Sequence, residues 1–353
     1  MRMLKKIAGI ICVSICFTAC CTLPEDSASA DGAVISHWTA GSEVAADLVK
    51  YVRDVSDENS PNFVPKEDRI AVFDLDGTLV GETYPSYFDW VLFTHRVLHD
   101  PSYKAPADMK KFARELENGW KTGKLPKDAE KRHAVYSTLS YKGMTPDELK
   151  DYARAFKKTR AEGFDNLNRG DAFFLPMVSM LKYLQDNGFT VFVVSGTERN
   201  IVRVMIEDVL DIPSYMVLGT DGNMVASGQK GKDGLDYVYQ PEDRLIYGGK
   251  LISKNVKMNK VPLIAREIGK VPLLAFGNSS GDLSMAQYTV NNAKYPARAY
   301  ILLGNDSLRE HGSVAKTESL KKYCDDHGFR TISMKDDFST VYGENVTLSE
   351  PQK

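Results

Sequence analysis

The stretch Ile70-Ala71-Val72-Phe73-Asp74-Leu75-Asp76-Gly77-Thr78-Leu79 decides how the rest of this 353-residue chain is interpreted. An apolar run suited to a buried β-strand leads into two aspartates, one residue apart, and then into a Gly-Thr turn. Because side chains at i and i+2 of a strand point the same way, Asp74 and Asp76 can face one pocket at its carboxyl end. Two such carboxylates repel each other unless a cation or a proton intervenes. Mg²⁺ would suit the pair, because it takes oxygen ligands and is often held by one or two carboxylates and a substrate phosphate.

A second apolar run, residues 189–194, ends at Ser195 and Gly196. An apolar run of this kind is typical of a parallel strand that is covered on both faces. A serine hydroxyl and the following backbone N–H groups at a helix start can bind a phosphate. Ser195 as the N-cap of a helix over residues 198–209 is the alternative, and the two roles are compatible.

Two more segments complete the series. Residues 254–260 contain three lysines, of which Lys260 is the preferred candidate because it opens an apolar-periodic helix, with Lys257 as the second choice. One buried lysine would neutralise a nucleophile and a transferring phosphoryl group. The last apolar run ends at Asn278, and Asp282 follows four residues later.

In this order, the four segments resemble the four motifs of the haloacid dehalogenase-like (HAD) superfamily in its phosphatase form. The resemblance covers residues 66–343, with the specific signal confined to the motifs. It implies an α/β fold, a Rossmann-like three-layer sandwich with a mainly parallel sheet. Asn278 departs from the family pattern, which has an aspartate there. An amide oxygen can still ligate Mg²⁺, but it brings no negative charge.

The resemblance also implies roles for individual residues. Asp74 would attack phosphorus and form an aspartyl-phosphate, and Asp76 would serve as general acid and base. The transferring group would be bound by Ser195, Gly196 and Lys260. Mg²⁺ would be held by Asp74, the backbone carbonyl of Asp76, Asn278 and Asp282.

Glu82 lies eight residues after Asp74, near the place of a substrate-binding glutamate in phosphoserine phosphatases. The spacing is one residue short, and the insertion that follows lacks an obvious matching arginine. Glu82 could equally cap the next helix. The substrate therefore stays open among small phosphomonoesters, including phosphoserine and phosphocholine-like esters.

Helical patterns separate the first two motifs, over residues 87–99, 106–119, 128–139 and 145–162. This insertion resembles the C1 cap of the phosphoserine phosphatase-like group. The predicted organisation is a signal peptide (1–19), a tether with an N-terminal helix (20–65), the catalytic core (66–83 and 172–343), the helical cap (84–171) and a tail (344–353). A β-hairpin is predicted within residues 220–254, on the alternation at 235–239.

The N-terminal sequence predicts an export signal. Arg2, Lys5 and Lys6 precede an apolar run over residues 7–19 that is too short for a stable membrane anchor. The segment around Cys20 resembles a bacterial lipobox, which predicts a periplasmic or outer-membrane-attached lipoprotein with membrane association through a lipid on Cys20 only. Cleavage after Ala30 is the alternative.

The charge composition disfavours nucleic acid as a partner. The formal net charge of −2 provides no basic footprint for nucleic acid. The sequence as a whole favours a Mg²⁺-dependent phosphomonoester hydrolase acting on a small phosphorylated metabolite. The alternative is a non-catalytic or weakly active binding lipoprotein with the same fold, which only Asn278 favours. A dehalogenase needs no acid at position 76, so Asp76 argues against it.

Overall fold

A seven-stranded sheet forms the centre of the computed structural model, which describes residues 35–81 and 84–349. The strand order is β4-β3-β2-β1-β5-β6-β7, and every neighbouring pair is parallel except β3 with β4. The strands are β1 (Ile70–Phe73), β2 (Thr190–Glu198), β3 (Val217–Ala226), β4 (Leu245–Ser253), β5 (Leu274–Gly277), β6 (Arg298–Leu303) and β7 (Arg330–Ser333). The predicted fold class is confirmed.

Helices cover both faces of this sheet. They are α1 (Glu43–Ser56), α2 (Phe88–Leu98), α3 (Ala107–Thr122), α4 (Ala129–Ser140), α5 (Pro146–Lys157), α6 (Leu175–Asp186), α7 (Arg199–Ile206), α8 (Lys260–Glu267), α9 (Leu283–Val290), α10 (Val314–His327) and α11 (Met334–Asp337). No helix in the described part of the chain is long and apolar enough to cross a membrane.

The central strand β1 divides the hydrophobic core into two clusters. Ala71 and Phe73 belong to one cluster, while Ile70 and Val72 belong to the other. This division follows from the two-residue repeat of a strand, which sends alternate side chains to opposite faces. Every residue of β1 is buried, so Asp74 directly follows a fully buried strand at the middle of the sheet.

The predicted N-terminal helix is present as α1. Its buried side chains are Leu48, Tyr51, Val52 and Val55, and all four belong to the larger core cluster. The helix therefore packs on the core.

Four helices, α2 to α5, form the insertion between β1 and β2. They have an apolar cluster of their own, which includes Phe93, Phe112 and Leu116. Thr145 and Glu148 form a reciprocal capping box with Pro146 at the first position of α5. We call this four-helix insertion the cap.

The cap is bonded to the core well away from its connecting segments. Gly143 N donates to Tyr247 O at 2.8 Å, and Tyr247 N donates to Met144 O at 2.8 Å. These bonds cover part of β4, which is the edge strand of the sheet. On the neighbouring side, the Arg154 guanidinium donates three hydrogen bonds of 2.8–3.2 Å to the carboxylate of Glu207, just after α7.

A buried polar cluster lies under the first of these contacts. Tyr247 Oη donates to Glu198 Oε1 at 2.6 Å, and Asn200 Nδ2 donates to Tyr247 Oη at 2.7 Å. The second carboxylate oxygen of Glu198 accepts from Ile201 N at 2.9 Å. Burial raises the pKa of Glu198 to about 7, against the hydrogen bonds from Tyr247 and Ile201.

The predicted hairpin exists, but its strands are β3 and β4. The alternating segment at 235–239 lies in the connection between them, where Leu235 is 96% exposed and Val238 is 78% exposed. Alternation predicts a strand only where one face is buried, and here neither is. The signal segment, Cys20 and Glu82 lie outside the described residues.

Candidate active site

The turn after β1 is built around Leu75 and Gly77. Leu75 O accepts hydrogen bonds from the backbone N–H groups of the three residues Thr78, Leu79 and Val80, at 3.1, 2.8 and 3.0 Å. Gly77 has a φ of +79°, and a Cβ there would collide with the Asn278 side chain. The turn therefore requires glycine for two reasons, and it brings the loop after β5 against the loop after β1.

Asp74 and Lys260 form the buried centre of the site. Lys260 is 1% exposed, and its ammonium donates to Asp74 Oδ1 at 2.7 Å, Asp282 Oδ1 at 2.6 Å and Val194 O at 2.6 Å. All three donors of the ammonium are thus used. Burial and the neighbouring charge of Asp282 raise the pKa of Asp74, and the Lys260 charge opposes that rise. Lys260 is the lysine preferred from sequence, while Lys257 is exposed at the mouth of the same cavity.

Asp76 has different partners. Its Oδ2 accepts from Thr197 Oγ1 at 2.8 Å and lies 3.4 Å from Ser195 Oγ. Burial raises the pKa of Asp76, and the Thr197 hydrogen bond works against this. The two aspartates therefore have distinct environments, one beside a cation and one beside neutral hydroxyls.

Ser195 is not at a helix start. The strand β2 continues through Glu198, and Glu198, whose carboxylate accepts from Ile201 N, is the N-cap of α7. Ser195 is 0% exposed, and its hydroxyl accepts from Thr197 N at 3.0 Å. The N-cap role expected for Ser195 is therefore wrong, because the strand continues for three more residues and Glu198 caps the helix instead.

Gly196 and two residues missed from sequence border the cavity. Gly196 O accepts from Lys254 Nζ at 2.8 Å and from Thr220 Oγ1 at 2.6 Å, and a Cβ at Gly196 would lie 2.7 Å from Val256 Cγ1. Thr197 and Lys254 both line the cavity. Thr197 could have been found as a second hydroxyl two residues after Ser195, but nothing in the sequence separates Lys254 from other lysines.

Asp282 has both carboxylate oxygens engaged within the protein. Oδ1 accepts from Lys260, and Oδ2 accepts from Asn278 N at 3.0 Å and Ser279 N at 3.1 Å. Its observed role is to hold the loop after β5 and to orient Lys260. The metal role expected of Asp282 stays a prediction, because neither oxygen is left without a donor.

A set of oxygen atoms suited to Mg²⁺ remains beside Asp74. Asp74 Oδ2 and Asn278 Oδ1 lie 3.5 Å and 3.4 Å from Thr78 Oγ1, so they face a common space. Among the described residues, no hydrogen bond uses the backbone carbonyl of Asp76. The same residues contain no group of three or more His, Cys, Asp or Glu that could hold a metal ion. A mixed set of carboxylate, amide and carbonyl oxygens fits Mg²⁺, which commonly keeps several waters.

The cavity above these residues has a volume of about 360 Å³. The core contributes the two aspartates and the lysines, and the cap contributes Tyr87, Trp90, Leu125, Ala129 and Glu130. The Trp90 ring stacks on His133, with centroids 4.5 Å apart and an interplanar angle of 12°. The cap residues of this wall were not predicted, because their helical pattern does not show which of them reach the site.

Comparisons with known proteins agree with this architecture. The family model described as haloacid dehalogenase-like hydrolase matches residues 71–287. A conserved protein of unknown function from Anaerococcus prevotii superposes with a TM-score of 0.50 at 14% identity, over 82% of this chain and 92% of that one. A Bordetella pertussis protein of unknown function superposes with a TM-score of 0.48 at 15% identity, over 75% of this chain and 97% of that one. Cytosolic 5′-nucleotidase IIIB bound to cytidine superposes with a TM-score of 0.48 at 14% identity, over 84% of this chain and 88% of that one. No curated protein matches the sequence. The family match spans more than half of the chain, which therefore belongs to the haloacid dehalogenase-like hydrolases.

Proposed function

We propose that this protein hydrolyses small phosphomonoesters through an aspartyl-phosphate on Asp74. The observation that carries the proposal is the unequal surroundings of two carboxylates on one turn. Asp74 is paired with the buried Lys260, whose charge opposes the effect of burial on the pKa of Asp74 and favours the ionised, nucleophilic form. Asp76 has no ion-pair partner among the described residues, and burial raises its pKa, which favours the protonated form that a general acid needs.

The first step transfers the phosphoryl group to the protein. A carboxylate oxygen of Asp74 forms a bond to phosphorus while the bond from phosphorus to the ester oxygen breaks. Asp76 gives its proton to that departing oxygen, so the alcohol leaves neutral. The ammonium of Lys260 stays beside Asp74 and offsets the negative charge gathered there.

The second step regenerates the protein. Asp76, now ionised, takes a proton from a water molecule whose oxygen attacks the same phosphorus atom. The bond from phosphorus to Asp74 breaks, and inorganic phosphate and the free carboxylate are formed. Thr197 holds Asp76 in one orientation for both proton transfers.

We also propose that the site works with Mg²⁺ held by Asp74, the backbone carbonyl of Asp76 and Asn278. When bound, the cation supplies positive charge opposite the equatorial oxygens of the transferring group. This part of the proposal is supported by the three oxygen atoms described above. Asp74 Oδ2 and Asn278 Oδ1 accept long hydrogen bonds of 3.5 and 3.4 Å from Thr78 Oγ1, and the carbonyl of Asp76 accepts none from the described residues.

The test is the substitution Asp74→Asn, which keeps the shape of the side chain but removes the nucleophile. Release of p-nitrophenol from p-nitrophenyl phosphate with Mg²⁺ should fall to background, while circular dichroism shows the folded protein. Asp211→Asn, at an exposed aspartate outside the site, is the matched control and should keep wild-type turnover. Turnover by the Asp74→Asn protein within a few-fold of wild type would refute the mechanism.

A further inference from the structure

The cavity is electrostatically asymmetric. Its three lysines, Lys254, Lys257 and Lys260, all belong to the core, close to the carboxylates that would handle the phosphoryl group. These lysines supply the positive charge that a phosphate dianion needs. We therefore expect the phosphoryl end of a substrate to bind at the core side of the cavity.

The cap side has the opposite character. Its described lining residues include two aromatic rings, Tyr87 and Trp90, and one acid, Glu130, but no lysine, arginine or histidine. Glu130 is exposed and has no ion-pair partner among the described residues. Tyr87 and Glu130 line the same cavity as Asp74 and Asp76.

Resting on the proposed function, we infer that the substrate is the phosphate ester of a small amino alcohol, with a cationic ammonium group at the end away from phosphorus. Aromatic faces attract cations through the negative charge of their π-systems, and quaternary ammonium groups are bound in this way. Glu130 adds a full opposite charge at the same end. The volume of about 360 Å³ suits a ligand of this size.

The same surroundings disfavour two other classes of ester. A phosphorylated amino acid would place a carboxylate at the cap end, where the described lining offers an acid and no base. A nucleoside monophosphate could stack its base on Trp90, but it would gain nothing from Glu130, because the common bases are neutral at pH 7. Charge at the far end of the substrate is therefore the property to test.

The experiment compares phosphocholine with 3,3-dimethylbutyl phosphate, which has the same shape with carbon in place of the charged nitrogen. We expect kcat/KM to be about tenfold higher for phosphocholine, a ratio between those of an exposed and a desolvated cation–π contact. Phosphoethanolamine, phosphoserine and cytidine monophosphate complete the panel. Glu130→Gln should reduce the ratio several-fold, whereas Glu242→Gln, at an exposed glutamate outside the cavity, should leave it unchanged.

Binding to the Asp74→Asn protein, followed by calorimetry, provides a measurement that does not depend on turnover. Phosphocholine should again bind about tenfold more tightly than its neutral isostere. Equal values for the two esters, or a preference for phosphoserine or cytidine monophosphate, would overturn the inference while hydrolysis of p-nitrophenyl phosphate upheld the proposed function. If no ester is hydrolysed, the proposed function fails, and the calorimetric ratio alone decides whether this cavity selects a cation.

Discussion

Replacing Lys260 by methionine should destabilise the protein strongly. The substitution keeps an unbranched side chain of similar length but removes the ammonium, whose three hydrogen bonds of 2.6–2.7 Å join Asp74, Asp282 and Val194. Two buried carboxylates would then face each other without a cation. Removing one partner of a buried ion pair costs about 3–5 kcal/mol, which is a large part of the roughly 5–15 kcal/mol that stabilises a typical domain.

Urea unfolding at pH 7.5 in the presence of EDTA measures this cost without a contribution from bound metal. Lys257→Met is the matched control, because Lys257 is an exposed lysine at the same cavity, and it should change the free energy of unfolding by less than about 0.5 kcal/mol. Adding Asp282→Asn to Lys260→Met should restore part of the loss, because one of the two uncompensated charges disappears. A loss below about 1 kcal/mol, or strict additivity in the double variant, would show that the lysine is not what balances the two carboxylates.

Three further predictions concern other parts of the chain. Asn278→Asp should tighten Mg²⁺ binding measured by calorimetry, since it adds a unit charge beside Asp74; an unchanged Kd would place Asn278 outside the coordination sphere. The folded pKa of Glu198, about 7, lies above its ordinary value of 4.5, so the contribution of Glu198 to stability should fall as pH rises from 4.5 to 7, by at most about 3 kcal/mol. Glu198→Gln should flatten that slope in urea unfolding, and an unaltered slope would exclude Glu198 as its source. We propose that Cys20 is lipidated, so Cys20→Ala should abolish lipid labelling of the exported protein; equal labelling would favour another site.

The central fold was predictable because each motif directly follows its own strand in the sequence. The apolar run before Asp74 and the runs before Ser195 and Asn278 each carry their own strand signal, and parallel strands must bring their carboxyl ends to one edge. Local patterns were therefore enough to predict that the motifs lie at the same edge of the sheet. The helices of the cap were likewise predicted from periodicity, over residues 87–99, 106–119, 128–139 and 145–162.

What could not be predicted depends on contacts between distant residues. The bond from Thr197 to Asp76 joins positions 121 residues apart, and the contact between Tyr247 and Glu198 joins positions 49 residues apart. No local pattern encodes such a pairing. The alternation at Leu235 misled for a related reason, because periodicity cannot show whether another element covers the segment.

The bonds that join Tyr247 to the cap loop, and Arg154 to Glu207, have a kinetic consequence. Because these bonds lie far from the segments that connect the cap to the core, the cap cannot open as a lid without breaking both sets of bonds. Substrates would then reach Asp74 by diffusion with these bonds intact, and the cavity of about 360 Å³ would exclude larger ligands by size. We therefore expect turnover of free metabolites but not of phosphate groups on folded proteins, whose bulk the cavity would stop before the phosphorus atom reached the nucleophile.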